Sequence, residues 1–158
     1  MSLRACVVVA SNRAAAGVYA DETGPLIADW LRGQGFQCDD PAVVPDGDPV
    51  RDAISAAVAD GARVVLTTGG TGLTPTDRTP EATAPLLDRQ VPGIAEAVRA
   101  AGLAKGVPTA MLSRGLAGIA GDCLVVNLPG SRGGVKDALG VLEPVLAHAV
   151  EQVVGSDH

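Results

Sequence analysis

Aromatic residues are nearly missing from this chain: one Trp, one Tyr and one Phe in 158 residues, or 2%. A core must therefore be built from Val, Leu, Ile and Ala. Single-stranded nucleic-acid binding by base stacking needs several exposed rings, so that class is disfavoured. Histidine is also scarce, with His148 and His158 only, and the three cysteines, Cys6, Cys38 and Cys123, stand far apart with no CxxC. Their spacing offers neither a zinc site nor a cysteine–histidine pair. Cys6 and Cys123 lie in apolar runs and read as small buried hydrophobes. Positive charge is in deficit, 12 Lys and Arg against 18 Asp and Glu for a net −6, which argues against non-specific binding to DNA, RNA or an anionic membrane. Long hydrophobic runs are lacking too. Val64-Val65-Leu66 is typical, far short of the ~18–20 residues of a membrane span. The stretch from Ala5 to Ala10 is too short for the apolar region of a signal peptide. The expectation is a cytoplasmic protein that engages neither nucleic acid nor membrane.

What is present is a globular composition, 47% hydrophobic and 19% charged, too apolar for a disordered chain. The length suits a single domain over 1–158. β-branched runs at 4–10, 42–44, 63–67, 109–113 and 123–128 read as strands. Between them, 25–33, 49–59, 79–88, 92–104 and 135–153 read as helices. Asp48 and Thr79 are candidate caps before Pro49 and Pro80, and Pro85 should bend its helix. On 92–104 the inward residues would be Ile94, Val98 and Ala101, and Trp30 joins the core. Gly115, Gly118 and Gly121 read as a turn. Strands alternating with short helices give an α/β class, three layers with a mainly parallel sheet flanked by helices.

In such a sheet, ligands bind beyond the carboxyl ends of the strands. The loops there are SNR at 11–13, PDGD at 45–48, TGGTGLTPTDR at 68–78, SRG at 113–115 and PGSRGG at 129–134. All carry hydroxyl, Asp, Arg or glycine, which suggests one composite site. Gly69, Gly70 and Gly72 let backbone amides reach phosphate oxygens without net positive charge, although the loop matches neither the P-loop nor the dinucleotide fingerprint. Asp46 and Asp77 are suited to hold Mg²⁺ through oxygen ligands. Asp46 is also a reasonable turn residue before Gly47, and Asp77 a helix-entry residue. Arg13, Arg114 and Arg132, beside Ser11, Ser113 and Ser131, can fork onto phosphate.

VVVASNRAAAGVYADETGP, VVPDG, TTGGTGLTPTDRTPEAT, VPGIAEAVR and PTAMLSRGLAGIAGDCLVVNLPGSRGGVKD, in that order, resemble the molybdopterin adenylyltransferase family of molybdenum cofactor biosynthesis. The domain fused into gephyrin-type proteins is similar. The resemblance implies the molybdopterin-binding fold, a homotrimer, and transfer of AMP from Mg-ATP to the terminal phosphate of molybdopterin. Pyrophosphate is released, and a molybdate-inserting partner takes the product. Asp46 and Asp77 match the catalytic and magnesium carboxylates. Ser11, Arg13, Gly69, Gly70, Thr71, Gly72, Pro129, Gly130 and Ser131 match the nucleotide and phosphate side, and Ser113 and Arg114 the molybdopterin side, Arg114 pairing with its phosphate. Three positions depart from the family: Asn12 replaces the Asp of Ser-Asp-Arg, Thr76 replaces an Arg before Asp77, and Pro85 is unusual in its helix. The alternatives are a paralogous molybdopterin-binding branch and a non-catalytic scaffold of the same pathway.

Overall fold

The computed structural model describes residues 3–17 and 21–155. The 18–20 stretch of the opening motif and His158 lie outside them. The chain runs through β1 (Arg4–Ala10), α1 (Asn12–Ala15), α2 (Thr23–Gly33), β2 (Gln37–Cys38), β3 (Ala42–Val44), α3 (Asp48–Ala59), β4 (Val64–Thr68), α4 (Thr79–Thr83), β5 (Arg89–Gln90), α5 (Pro92–Ala104), β6 (Ala117–Ala120), β7 (Cys123–Leu128), α6 (Arg132–Leu142) and α7 (Leu146–Val153). The strands form one sheet in the order β2-β1-β4-β7-β6-β5, with β3 also paired to β1. β1, β2, β3, β4 and β7 pair in parallel, while β6 pairs antiparallel with β7 and with β5.

Period-two alternation divides the core between the two faces of the sheet. Val7, Val9, Val64, Leu66, Leu124 and Val126 enter one cluster, which Ile27 of α2 and Val135 and Leu139 of α6 complete. Val8, Val65, Val125 and Cys123 face the other way onto Val50 and Ile54 of α3. Near-continuous burial along β4 and β7 is the signature of strands covered on both sides. The three-layer α/β expectation holds. Trp30 packs against the rim of the first cluster, half-buried. Cys6 is half-buried rather than buried, and burial pushes the thiol of Cys123 up to about 12. Among the described residues, no helix is long and apolar enough to cross a membrane.

Several local expectations are corrected. Residues 109–113 are not a strand: Pro108–Leu112 form a 3-10 turn, because Pro108 supplies a helical φ and no ladder N–H. The glycines read as a turn include Gly118, which lies inside β6; it keeps its place because a Cβ there would lie 2.4 Å from the Arg89 carbonyl of β5. Helix 79–88 stops after Thr83 and passes into a 3-10 turn over Ala84–Leu86, since Pro85 removes a helix donor. Helix 135–153 begins earlier, at Arg132, where the Ser131 hydroxyl oxygen accepts from Gly134 N–H at 3.1 Å. It breaks between Leu142 and Leu146 around Pro144. On α5 the buried face is Ala95, Val98 and Gly102. Asp48 does not cap α3; Gly47 precedes the helix and Asp48 is its first residue.

Candidate functional site

The loops after β1, β3, β4 and β7 converge at one end of the sheet, because those strands run in parallel and end together. The 113–115 loop arrives from the 3-10 turn instead. It still joins them, since Arg114 N–H donates to the Thr71 carbonyl at 2.8 Å.

The glycine loop after β4 is shaped by Thr79. Its hydroxyl donates to the Gly69 carbonyl at 2.9 Å and its N–H to the Gly70 carbonyl at 3.0 Å. Thr79 is thus the first residue of α4 and a loop clamp, not the expected cap. With those carbonyls committed, the planar peptides turn the N–H groups of Gly70 and Thr71 the opposite way. Together with Gly72 N–H, they have no acceptor among the described residues. Gly69 and Gly70 adopt φ of +89° and +68°, and consecutive amides held this way form an anion-binding concavity.

Both aspartates face that loop. A Cβ built on Gly70 would lie 2.6 Å from Asp46 Oδ2, and one on Gly72 2.7 Å from Asp77 Oδ2. The site needs glycine at both positions because carboxylates occupy the side-chain space. Asp46 Oδ1 accepts from Arg78 N–H at 2.9 Å, and Asp77 Oδ2 accepts from Thr74 N–H at 3.1 Å. Burial raises the pKa of Asp46 above the ordinary carboxylate value; hydrogen bonds from the Arg78 and Gly47 amides oppose this, and the nearby Asp77 charge adds to it. Asn12 orients Asp46, its side-chain oxygen accepting from Asp46 N–H at 2.9 Å. An asparagine meets that requirement as well as an aspartate and adds no third negative charge.

Two cavities lie either side of a saddle made by Gly69, Gly70, Gly130 and Ser131. The smaller, 590 Å³, is lined further by Ser11, Thr23 and Arg132. The larger, 770 Å³, is bounded by Thr71, Gly72, Asp77, Ser113 and Pro129. The saddle is close-packed: a Cβ on Gly130 would lie 3.3 Å from Gly69 Cα, and Thr68 donates its hydroxyl to the Pro129 carbonyl at 2.6 Å. Ser11 also caps α1, accepting from Ala14 N–H. Arg13 is exposed on α1 and lines neither cavity.

Arg114, expected to pair with a ligand phosphate, is engaged within the chain in this structure. Its Nε donates to the Gly72 carbonyl at 2.9 Å, Nη2 to the Asp77 carbonyl at 2.8 Å, and both terminal nitrogens fork onto Glu81 at 2.6 and 3.2 Å. Four of its five donors are thus spent, two on the carbonyls of the 72–77 loop and two on Glu81 of α4. The pair with Arg114 lowers the Glu81 pKa. Arg114→Ala is therefore expected to cost about 1–3 kcal/mol of stability through lost charged hydrogen bonds, read from the urea midpoint. Glu81→Gln should cost under about 1 kcal/mol, as for an exposed pair. An Arg114→Ala midpoint equal to wild type would refute the clamp.

Sequence reasoning passed over three residues. Buried Asn127 donates from Nδ2 to Thr67 and Thr83 hydroxyls at 3.0 and 3.1 Å and accepts from Leu116 N–H at 3.0 Å, tying β4, α4 and β7 beneath the saddle. A polar residue within CLVVNL was the available signal. Arg99, which donates from Nη1 to the Ser113 and Gly115 carbonyls, and Asp137 both line the larger cavity.

A family profile described as a probable molybdopterin binding domain matches residues 6–148. The chain is 43% identical over 155 residues to a molybdenum cofactor biosynthesis bifunctional protein of Synechococcus elongatus, covering 98% of the chain and 48% of that protein. It is 39% identical over 142 residues to a molybdopterin adenylyltransferase of Haemophilus influenzae, covering 87% of the chain and 71% of that enzyme. Among solved structures, the molybdopterin biosynthesis Mog protein from Mycobacterium ulcerans superposes with a TM-score of 0.92 at 52% identity over 96% of this chain and 99% of that one. The molybdopterin biosynthesis enzyme MoaB from Thermus thermophilus superposes at 0.88 and 43% identity, over 98% of both chains. The chain spans about half the length of the bifunctional relatives it matches.

Proposed function

The chain belongs to the family of probable molybdopterin-binding domains of molybdenum cofactor biosynthesis, and on that premise we propose that it transfers the adenylyl group of ATP to the terminal phosphate of molybdopterin. The observation that supports this is the pair of cavities meeting at the saddle, with the N–H groups of Gly70, Thr71 and Gly72 lacking acceptors among the described residues and two aspartates facing that loop. That arrangement suits a two-substrate transfer between phosphates. The nucleotide takes the smaller cavity with Ser11 and Ser131, and molybdopterin takes the larger with Ser113.

The attacking group is a phosphate monoester, whose second pKa of about 6 leaves it ionised at neutral pH, so no protein base is needed. Its oxygen bonds to the α-phosphorus of ATP as the bond to the bridging oxygen breaks, and pyrophosphate leaves. Catalysis is then positioning and charge neutralisation. The N–H groups of Gly70, Thr71 and Gly72 receive phosphoryl oxygens, while Arg114 and Thr79 keep the loop from relaxing. The donors beside the loop are carboxylate oxygens, which suit magnesium. Magnesium takes one or two carboxylates and completes its shell with water and substrate phosphates. Asp46 and Asp77 would hold such an ion, which supplies positive charge against the repulsion of two phosphates.

Incubation of the purified protein with molybdopterin and Mg-ATP tests the proposal, with adenylylated molybdopterin and pyrophosphate as the expected products. Bound molybdopterin without product would assign the chain to the paralogous, non-catalytic branch or to a scaffold. The same reading carries a cytoplasmic location and delivery of the product to a molybdate-inserting protein. It also carries a homotrimer, for which exposed Leu103, Val107, Met111 and Leu112 beside the larger cavity supply apolar surface. Sedimentation is expected to give three times the 15.8 kDa chain mass; a monomer at micromolar concentration would refute it.

A further inference from the structure

Two opposite charges line the larger cavity without pairing with each other. Asp137, half-buried on α6, makes no hydrogen bond or ion pair among the described residues. Arg99, half-buried on α5, spends Nη1 on the Ser113 and Gly115 carbonyls and keeps Nε and Nη2 without acceptors among those residues. Apolar wall is supplied by Val98, Val107 and Leu112. Asp137 lies five residues beyond the first residue of α6, so about 7 Å along the axis from the saddle end of that helix. A ligand with its phosphate on the saddle would present its other end here.

We propose that Asp137 reads the 2-amino-4-oxopyrimidine edge of a pterin, accepting from its N3–H and 2-amino groups, with the spare N–H groups of Arg99 serving the 4-oxo oxygen. The proposal rests on the molybdopterin reading of this cavity. Its chemistry is independent of the transfer step: a carboxylate offers two acceptors side by side, matching two adjacent N–H donors, and charged hydrogen bonds in a sheltered wall are the strong ones. Guanine carries the same edge. The choice of pterin follows from the molybdopterin reading of the cavity, and competition by GMP tests it.

The test is a binding experiment. Molybdopterin affinity is measured by calorimetry for wild type and Asp137→Asn. Bound molybdopterin is then competed with 6-hydroxymethylpterin phosphate, with the lumazine counterpart carrying 2-oxo in place of 2-amino, and with GMP. Wild type should favour the pterin phosphate over the lumazine by at least about 10-fold. Asp137→Asn should weaken molybdopterin about 10- to 100-fold, the range for hydrogen bonds to a charged group. It should also move the preference toward lumazine, because the asparagine N–H faces the 2-oxo group. A purely structural role for Asp137 would not change that ratio, and ATP binding in the smaller cavity should be unaltered. If wild type fails to bind molybdopterin, the functional reading falls and this inference with it. If wild type binds molybdopterin and Asp137→Asn keeps the same affinity and the same pterin-to-lumazine ratio, this inference alone is overturned. Equal competition by both analogues, or none by either, also overturns it, and GMP competing more strongly than the pterin overturns its assignment to a pterin.

Discussion

Asp77→Asn should lower adenylyl-transfer turnover by about 10²–10³-fold, the loss typical when one preorganised electrostatic group is removed from a charged transition state, while molybdopterin affinity stays close to wild type. The substitution is nearly isosteric. An asparagine oxygen still accepts from Thr74 N–H, and the Arg114 bond to the residue 77 carbonyl is untouched, so the loop keeps its shape and only the charge is lost. Single-turnover assays with ATP, set beside calorimetric molybdopterin binding, separate the two quantities; turnover near wild type would remove Asp77 from the site. Asp46→Asn should depress transfer similarly and raise stability at neutral pH. An aspartate whose folded pKa lies above its unfolded value holds its proton more tightly when folded. That stability is fully present below the unfolded pKa and is lost as pH rises through the raised folded value. At neutral pH without magnesium, Asp46→Asn should therefore melt above wild type, and the difference should vanish as pH falls below the ordinary carboxylate range. A variant melting below wild type at pH 7 would contradict the raised pKa of Asp46.

Gly69→Ala should destabilise the fold by about 3 kcal/mol or more and abolish nucleotide binding. A side chain at φ +89° carries about 1–3 kcal/mol of strain. Its Cβ would also sit 2.4 Å from the Ala10 carbonyl, main chain at the end of β1 that has no rotamer with which to give way. Relief requires β1 and the glycine loop to separate where the two cavities meet. Gly140→Ala is the matched control. A Cβ there meets nothing within 4 Å, and alanine in place of glycine in the last turn of α6 should be neutral or stabilise it by up to about 1 kcal/mol. Urea unfolding of both variants measures the contrast, and equal midpoints would refute the close-approach account.

The layered architecture was legible because its signals are local. Val64-Val65-Leu66 alternates between the two clusters by the pleat alone, and Pro49 and Gly61 punctuate α3 regardless of what surrounds it. The errors have local causes as well. The apolar residues of 109–113 look the same in a strand and in a 3-10 turn, and Pro108 decides between them. Gly118 carries turn character, yet occupies a strand because a neighbouring carbonyl leaves no room for a side chain.

Read alone, the chain determines which loops gather at one end of the sheet. Glycine, hydroxyl and carboxylate residues cluster after the strands, and parallel strands deliver such loops to one end. Only the folded chain assigns the roles within that end. Arg114 has the sequence context of a phosphate ligand, but Glu81, 33 residues away, and the carbonyls of Gly72 and Asp77 claim its guanidinium. Asn127 is one polar letter in an apolar strand until Thr67, 60 residues back, and Thr83, 44 back, meet it in the core. Asp137 and Arg99 sit on separate amphipathic helices and face a common cavity only once α5 and α6 pack together. Local propensity depends on neighbours within a few residues, whereas the state of a charged or hydrogen-bonding group depends on which distant partner reaches it before water does, and that is set by tertiary packing.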